Sequence, residues 1–221
     1  GDGAGTISLS ATGSLTAVGS TIPHVSATNN VTMSAASVGT AAQSLGVQAP
    51  TLARLTASGD VFLAVSEKTA GTGFRVGQTA VTGGLTLTQA TGDLILTDAM
   101  NASRAILTAT DGDFTMIDGV ALTVIDAATI TAGDNVNLSR IISANGPLSI
   151  TAGDKILDGT ASELANITGQ SNLAVLSMSA AQVGEFRPQN SRQQLVLDGL
   201  TGGTFTMMVL VDGRAFVTGA V

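Results

Sequence analysis

Five aspartates recur at a spacing that could bring their carboxylates together. Each follows a glycine and precedes an alternating apolar segment; they are Asp60, Asp93, Asp113, Asp134 and Asp154. If successive copies stack, the last four are candidate calcium ligands, since Ca²⁺ takes about six to eight oxygens. Alternatively, glycine supplies the turn conformation and the aspartate accepts a bond from a backbone N–H two residues on. We favour the turn interpretation, because the tandem calcium repeat GGxGxDxUx is missing.

Other residues that could do chemistry are few. Sugar cleavage needs an acid beside a base, and two charged clusters offer such groups, Glu67/Lys68/Arg75 and Glu185/Arg187/Arg192. Both fall in irregular insertions, where a solvated loop is the ordinary interpretation. His24 is the only histidine, without the Ser-Asp context of a triad and without a second histidine for a zinc pair, so a loop or surface position is expected. We predict no enzyme and no cofactor, with calcium as the open alternative.

Composition excludes further classes of function. The 221 residues include no Cys, Trp or Tyr, and only 11% are charged, with a net charge of −7. An acidic chain lacks the counterion-release drive for nucleic-acid binding and the attraction to anionic membranes. No apolar segment reaches the length of about 18 residues that a membrane helix needs. The chain as given shows no signal peptide, as expected of a processed or excised piece of something longer.

A degenerate repeat of about 20 residues runs through most of the chain. In each copy apolar residues alternate with Thr, Ser or Asn after a Gly-containing turn, as in Val61/Leu63/Val65 and Leu85/Leu87. A period of two indicates short strands with one buried face. We therefore expect an all-β protein with almost no helix.

The near-absence of aromatics separates two all-β architectures. Sandwiches usually place large aromatics between their sheets, whereas a parallel β-helix stacks small aliphatics in columns. The chain therefore predicts a parallel β-helix of about 8 to 11 coils, about 40 to 50 Å long. We expect residues 1–203 to form this β-solenoid and residues 204–221 a C-terminal hairpin or junction. Equivalent inward positions are predicted for Val61, Leu94, Phe114, Val136 and Leu148.

A longer repeat is also visible. MSAASVG (33–39) recurs as MSAAQVG (178–184), and Leu55 and Leu200 share the same offset of 145 residues. This predicts a tandem module in which residues 33–58 match residues 178–203. The alternative is that two unrelated coils converged on a useful turn.

Several segments resemble the repeat regions of giant bacterial surface and secreted proteins of the filamentous-haemagglutinin-like type. They are residues 31–65, 84–97 and 129–139, within a resemblance that covers residues 5–160 and 176–203. The resemblance implies a right-handed parallel β-helix that is extracellular and works as an adhesin shaft or matrix filament. The Asn-Pro-Asn motif of that family's secretion domain is absent, and no catalytic or binding residue carries over.

Two features suggest self-association. No charged residue occurs from Gly3 to Ala53, although strand edges are normally protected by charge. The segment TMMVLVDGRAFVTG (206–219) predicts two strands about an Asp-Gly turn. Its apolar edge gives the candidate self-association residues Thr206, Met207, Met208, Val209, Leu210 and Val211. We expect copies to join end to end and side to side.

These observations predict a structural β-solenoid module of a large extracellular bacterial protein, acting as a shaft or self-assembling matrix component. A non-catalytic adhesive or carbohydrate-binding module is the alternative, with a surface glycan or host ligand as partner. A polysaccharide lyase or hydrolase is a more distant third. An adhesive module should carry a localised patch of aromatic or polar residues, whereas a shaft should have a uniform surface.

Overall fold

Alternating apolar and hydroxylated residues form short parallel strands that coil into a β-solenoid. A computed structural model of the chain describes residues 5–19, 22–160, 166–169, 176–184, 195–197, 208–211 and 214–217. Within them the structure is all-β, without helix, and builds about seven turns. The predicted fold class is confirmed, while the hand of the helix stays a prediction.

The strands are short, as the repeat predicts. In chain order the described strands are β1 (Ile7–Ser10), β2 (Ser14–Leu15), β3 (Val25–Ser26), β4 (Asn30–Ala35), β5 (Ser37–Val38), β6 (Leu45–Gln48), β7 (Thr51–Ala57), β8 (Val61–Ser66), β9 (Phe74–Val81), β10 (Gly84–Gln89), β11 (Leu94–Leu96), β12 (Met100–Ala102), β13 (Arg104–Ala109), β14 (Phe114–Met116), β15 (Ala121–Val124), β16 (Ala128–Ala132), β17 (Val136–Leu138), β18 (Arg140–Ser143), β19 (Leu148–Ala152), β20 (Lys155–Asp158), β21 (Ile167–Gly169), β22 (Leu176–Ser179), β23 (Gln182–Val183), β24 (Leu195–Leu197), β25 (Met208–Val211) and β26 (Arg214–Val217).

Two parallel sheets enclose the core among the described residues. Sheet I has fourteen strands, namely β1, β4, β7, β9, β11, β12, β14, β15, β17, β18, β20, β21, β23 and β24. Sheet II has ten strands, namely β2, β3, β5, β6, β8, β10, β13, β16, β19 and β22. Each strand pairs in parallel with its counterpart one turn along the chain, as β10 does with β13. The hairpin of β25 and β26 forms a separate antiparallel pair.

Like residues stack from turn to turn inside the solenoid. In sheet I one inward column contains Phe74, Leu94, Phe114, Val136 and Ile156. In sheet II another contains Val61, Leu85, Ala105, Ala128 and Leu148. All ten are buried, most of them completely. A single apolar core therefore runs through the stack.

The five residues predicted to be equivalent are all fully buried but occupy two columns. Leu94, Phe114 and Val136 stack in sheet I as expected. The prediction was wrong for Val61 and Leu148, which lie in sheet II. Each turn of the solenoid contains two runs of alternating residues, and the two runs look alike in sequence.

The prediction of 8 to 11 coils was too high for the described residues, which build about seven turns. A step of 20 residues occurs between Leu94 and Phe114. Near the start, however, Ile7 pairs with Val31, which is 24 residues further along the chain. Longer turns consume more chain, so fewer of them form.

The two copies of the MSAA motif lie in different sheets. Met33 is in β4 of sheet I, whereas Met178 is in β22 of sheet II. Both copies form a strand, a corner and a second strand, and both end at a glycine with positive φ, Gly39 and Gly184. This placement favours convergence on one useful corner. Leu200 lies outside the described residues, so the tandem module stays a prediction.

Candidate functional site

Two of the repeated aspartates bridge successive turns of the solenoid. The backbone N–H of Asp113 donates to Asp93 Oδ1 at 2.9 Å. Asp113 Oδ1 in turn accepts from the backbone N–H of Asn135 at 2.8 Å and from its Nδ2 at 3.0 Å. Each carboxylate therefore satisfies a backbone donor at the corner above it. The turn interpretation had placed these bonds two residues along the chain, whereas the donors that the structure shows lie one turn away.

The remaining aspartates occupy other positions. Asp60 precedes sheet II, where its Oδ1 accepts from the N–H of Gly84 at 2.7 Å. Asp134 and Asp154 are one residue further from the first buried residue of the next strand, because Asn135 or Lys155 intervenes. The Asp154 carboxylate lies 3.7 Å from Lys155 Nζ in an exposed ion pair. The five carboxylates therefore do not form a single column.

The four calcium candidates therefore form two pairs, which differ by one residue in their position along the corner. Asp93 and Asp113 are directed at backbone donors of the next turn. Asp134 and Asp154 are linked to each other through the backbone, with the Asp154 N–H donating to the Asp134 carbonyl at 2.9 Å. Across the described ranges, no group of three or more His, Cys, Asp or Glu residues is placed to hold a metal ion.

The charged cluster at residues 67–75 organises a loop. Glu67 accepts from the backbone N–H groups of Gly71 and Gly73, both at 2.7 Å. Lys68 Nζ donates to Ser26 Oγ at 3.1 Å. The acid and the base are thus each bonded to separate structural partners. The second cluster, Glu185, Arg187 and Arg192, lies outside the described residues.

His24 links the first two turns and is partly buried. Its Nδ1 accepts from the backbone N–H of Gly46 at 2.8 Å, and its Nε2 lies 3.3 Å from the Gly19 carbonyl. With Nδ1 accepting, Nε2 is the ring nitrogen that can donate to the Gly19 carbonyl. The histidine serves the same bridging role as the aspartates of later turns.

A groove on the outer face of sheet II brings together the most varied set of side chains. It has a volume of about 390 Å³ and is lined by Asp60, Phe62, Thr86, Arg104, Ile106 and Thr129, among others. The register of β8, β10, β13 and β16 places Phe62, Thr86, Ile106 and Thr129 side by side. Parallel strand pairing therefore forms this row from residues that are far apart in sequence.

Two lining residues of opposite charge converge above Gly84. Asp60 and Arg104 lie at equivalent positions on either side of Gly84. A Cβ added to Gly84 would lie 3.4 Å from Asp60 Oδ1 and 3.5 Å from the Arg104 guanidinium. Arg104 is exposed and makes no ion pair with any residue that the structure describes. The groove thus combines an apolar centre with a donor and an acceptor.

Sequence reasoning missed this groove, although a signal was present. The alternation that buries Val61, Leu63 and Val65 necessarily turns Phe62 outward. Asp60 was considered only as a turn residue. Register between strands, which the sequence does not display, decides that Ile106 and Arg104 lie beside these residues.

The predicted self-association residues are partly described. Met208, Val209, Leu210 and Val211 form β25, which pairs antiparallel with β26 so that Val211 faces Arg214. The predicted hairpin is therefore confirmed in its strands. Thr206 and Met207 lie outside the described residues.

Comparison of the chain with known proteins identifies no similar protein. No family model matches the chain, and neither the curated proteins nor the solved structures provide a match. The resemblance to filamentous-haemagglutinin-like repeats therefore stays a prediction. No helix among the described residues is long and apolar enough to cross a membrane.

Proposed function

We propose that the chain is a non-catalytic structural module of a large extracellular bacterial protein, serving as a shaft or matrix component. The observation that carries this proposal is the continuous core of stacked columns. Each added turn extends such a stack by about 4.8 Å without changing its cross-section. A solenoid with this property suits a protein that must span a distance.

The polar groups of the described turns support the same proposal. Asp93, Asp113 and His24 satisfy backbone donors of the next turn. These side chains hold neighbouring coils together and do not converge on one reacting centre. Catalysis would instead require an acid, a base and a substrate position within mutual reach.

Most of one outward row of sheet II is uniform, as expected of a shaft. It contains Thr88, Thr108, Thr131, Thr151 and Ser179. Hydroxyl groups can donate and accept, so such a row is hydrated without carrying charge. A neutral row offers little electrostatic repulsion to another copy of itself.

Self-association is part of the proposal. The flank from Gly3 to Ala53 carries no charge, and β25 belongs to an apolar hairpin. Strand addition at an exposed edge joins chains through main-chain bonds, and a head-to-tail contact that does not close forms a filament.

The test is sedimentation velocity and electron microscopy of the polypeptide at micromolar concentration. We expect the wild type to form larger species and a Val209→Lys, Val211→Lys variant to form fewer. A Thr91→Lys, Thr110→Lys variant adds the same charge at exposed turns and should assemble like the wild type. A strictly monomeric, monodisperse wild type would refute the self-association.

A further inference from the structure

The outer row beside the uniform hydroxyl row is interrupted by two large apolar side chains. Its residues are Phe62, Thr86, Ile106, Thr129 and Ser149, in successive strands of sheet II. Ile106 is 46% exposed between two threonines. Among residues whose side chains are described, Phe62 is the one aromatic on an outer face, since Phe74 and Phe114 are fully buried. Phe62 and Ile106 lie in one row with Thr86 between them and line the same groove, so their apolar surfaces face one site.

We propose that this groove binds a neutral glycan chain, a role beyond that of a shaft. A sugar ring has an apolar face of C–H groups and a rim of hydroxyls. Phe62 and Ile106 offer apolar surface to the ring faces. Asp60 can accept bonds from sugar hydroxyls, Arg104 can donate to their oxygens, and Thr86 and Thr129 can do both. This combination of apolar surface and few convergent polar groups is typical of ligand sites.

The size of the groove fits a short stretch of such a chain. Its volume of about 390 Å³ lies within the usual range of about 300 to 1,000 Å³ for ligand sites. Gly84 has no side chain, and a Cβ added there would contact both Asp60 Oδ1 and the Arg104 guanidinium, so the glycine leaves only a methyl-sized space between them. The floor is further lowered by Ala127, which also lines the groove.

Charge favours a neutral glycan over an acidic one. Asp60 and Arg104 supply one charge of each sign, and Asp126, next to the lining residue Ala127, is bonded to Ser103 Oγ at 2.6 Å. An anionic sugar would meet two carboxylates for one guanidinium, on a chain with a net charge of −7. Such a ligand would be repelled at distances up to a Debye length of about 8 Å in physiological salt.

The experiment measures binding of the full chain to four soluble probes by calorimetry. Cellohexaose, chitohexaose and mannohexaose are the neutral probes, and an alginate hexamer is the anionic one. We expect binding of at least one neutral hexamer and a weaker interaction with alginate. Binding of none of the neutral probes, or tighter binding of alginate, would overturn the proposal.

Two pairs of variants locate the site. Ile106→Thr makes the row more uniform and keeps a β-branched residue, so the fold should persist; Ile125→Thr alters an isoleucine that is 55% exposed and does not line the groove. Arg104→Gln is matched by Arg140→Gln, another exposed arginine at the start of a strand. We expect Ile106→Thr and Arg104→Gln to weaken binding about tenfold or more, and the controls to leave it unchanged. Equal losses in a variant and its control, with unchanged thermal melting, would show that binding is not at this groove.

Discussion

The two halves of the solenoid differ in which sheet contains the extra bend, that is, the bend that divides one strand of a turn into two short strands. In an N-terminal turn, sheet I contributes the single strand β4 and sheet II contributes the two short strands β5 and β6. In a C-terminal turn, sheet I contributes β14 and β15, whereas sheet II contributes the single strand β16. Between them, β7 to β10 form turns with one long strand in each sheet.

Long strands in the middle of the solenoid allow the bend to change from sheet II to sheet I. β8 pairs with both β5 and β6, and β9 pairs with both β11 and β12. Each long strand thus supports two short ones in its register, with the residues between them forming the bend. Inward residues keep their period of two on both sides. The bend therefore moves from one sheet to the other without interrupting the core.

The halves also satisfy their corners with different chemistry. Between the first two turns the side-chain bridges are neutral, as in Ser37 Oγ donating to Ser14 Oγ at 2.7 Å and Gly46 N–H donating to His24. In the C-terminal half Asp93 and Asp113 provide carboxylates for the same purpose. Cross-turn bonding is therefore common to both halves, and charge is one means of achieving it.

The largest effect should come from a charge in the core of the C-terminal half. Leu94→Asp replaces a fully buried residue between Phe74 and Phe114, so an unpaired carboxylate would enter a continuous apolar column. We expect a loss of about 4 kcal/mol or more and unfolding of neighbouring turns. Thermal melting by circular dichroism, with hydrogen exchange of individual turns, measures both.

Asn101→Asp is the control for Leu94→Asp. It adds the same charge in the same turn, on an exposed residue of β12. Its cost should stay within about 0.5 kcal/mol, as for other surface substitutions. A small effect of Leu94→Asp, similar to that of the control, would contradict the continuous core.

Much of this fold could be predicted from sequence because alternation is a local property. The burial of Val61, Leu94 and Phe114 followed from period two and small-residue composition. Which sheet each strand joins did not follow, since it depends on how many bends precede it. The position of a bend is set by short turns such as the one at Gly39, where φ is +64°. Similar turns occur at many corners, so the sequence of a turn does not indicate which sheet the next strand joins.

Glycines of the two halves differ in how closely the preceding turn approaches them. A Cβ at Gly153 would lie 1.8 Å from the Gly133 carbonyl oxygen, whereas nothing lies within 4 Å of a Cβ at Gly13. Gly153→Ala must push successive backbones apart and should cost about 1 to 3 kcal/mol, the range of overpacked sites. Gly13→Ala should lie within about 0.5 kcal/mol of the wild type. Chemical denaturation of both variants measures the difference, and equal costs would show that turns are not in close contact at Gly153.

The candidate site was less predictable than the fold. The aspartates were visible as a repeat, yet a one-residue insertion before Val136 moved Asp134 out of the column of Asp113. The groove residues Phe62, Arg104 and Ile106 share no motif and meet only through strand register. Residues brought together in this way leave no pattern along the chain.

The smallest effects test whether charged and neutral bridges have the same role. Asp113→Ala leaves two donors of Asn135 without their acceptor, and we expect a loss of about 1 to 3 kcal/mol. Asp113→Asn keeps an acceptor oxygen and should lose less, about 1 kcal/mol, because a charged acceptor binds more strongly than a neutral one. Ser37→Ala removes an exposed bond between hydroxyls and should cost about 0.5 kcal/mol.

Thermal melting of the wild type and these variants, with and without a chelator, tests whether the carboxylates hold calcium. If the carboxylates act only as acceptors, the chelator leaves every melting temperature unchanged. A large fall in the wild type that is absent in Asp113→Ala would instead assign these aspartates to calcium and separate the two halves by function.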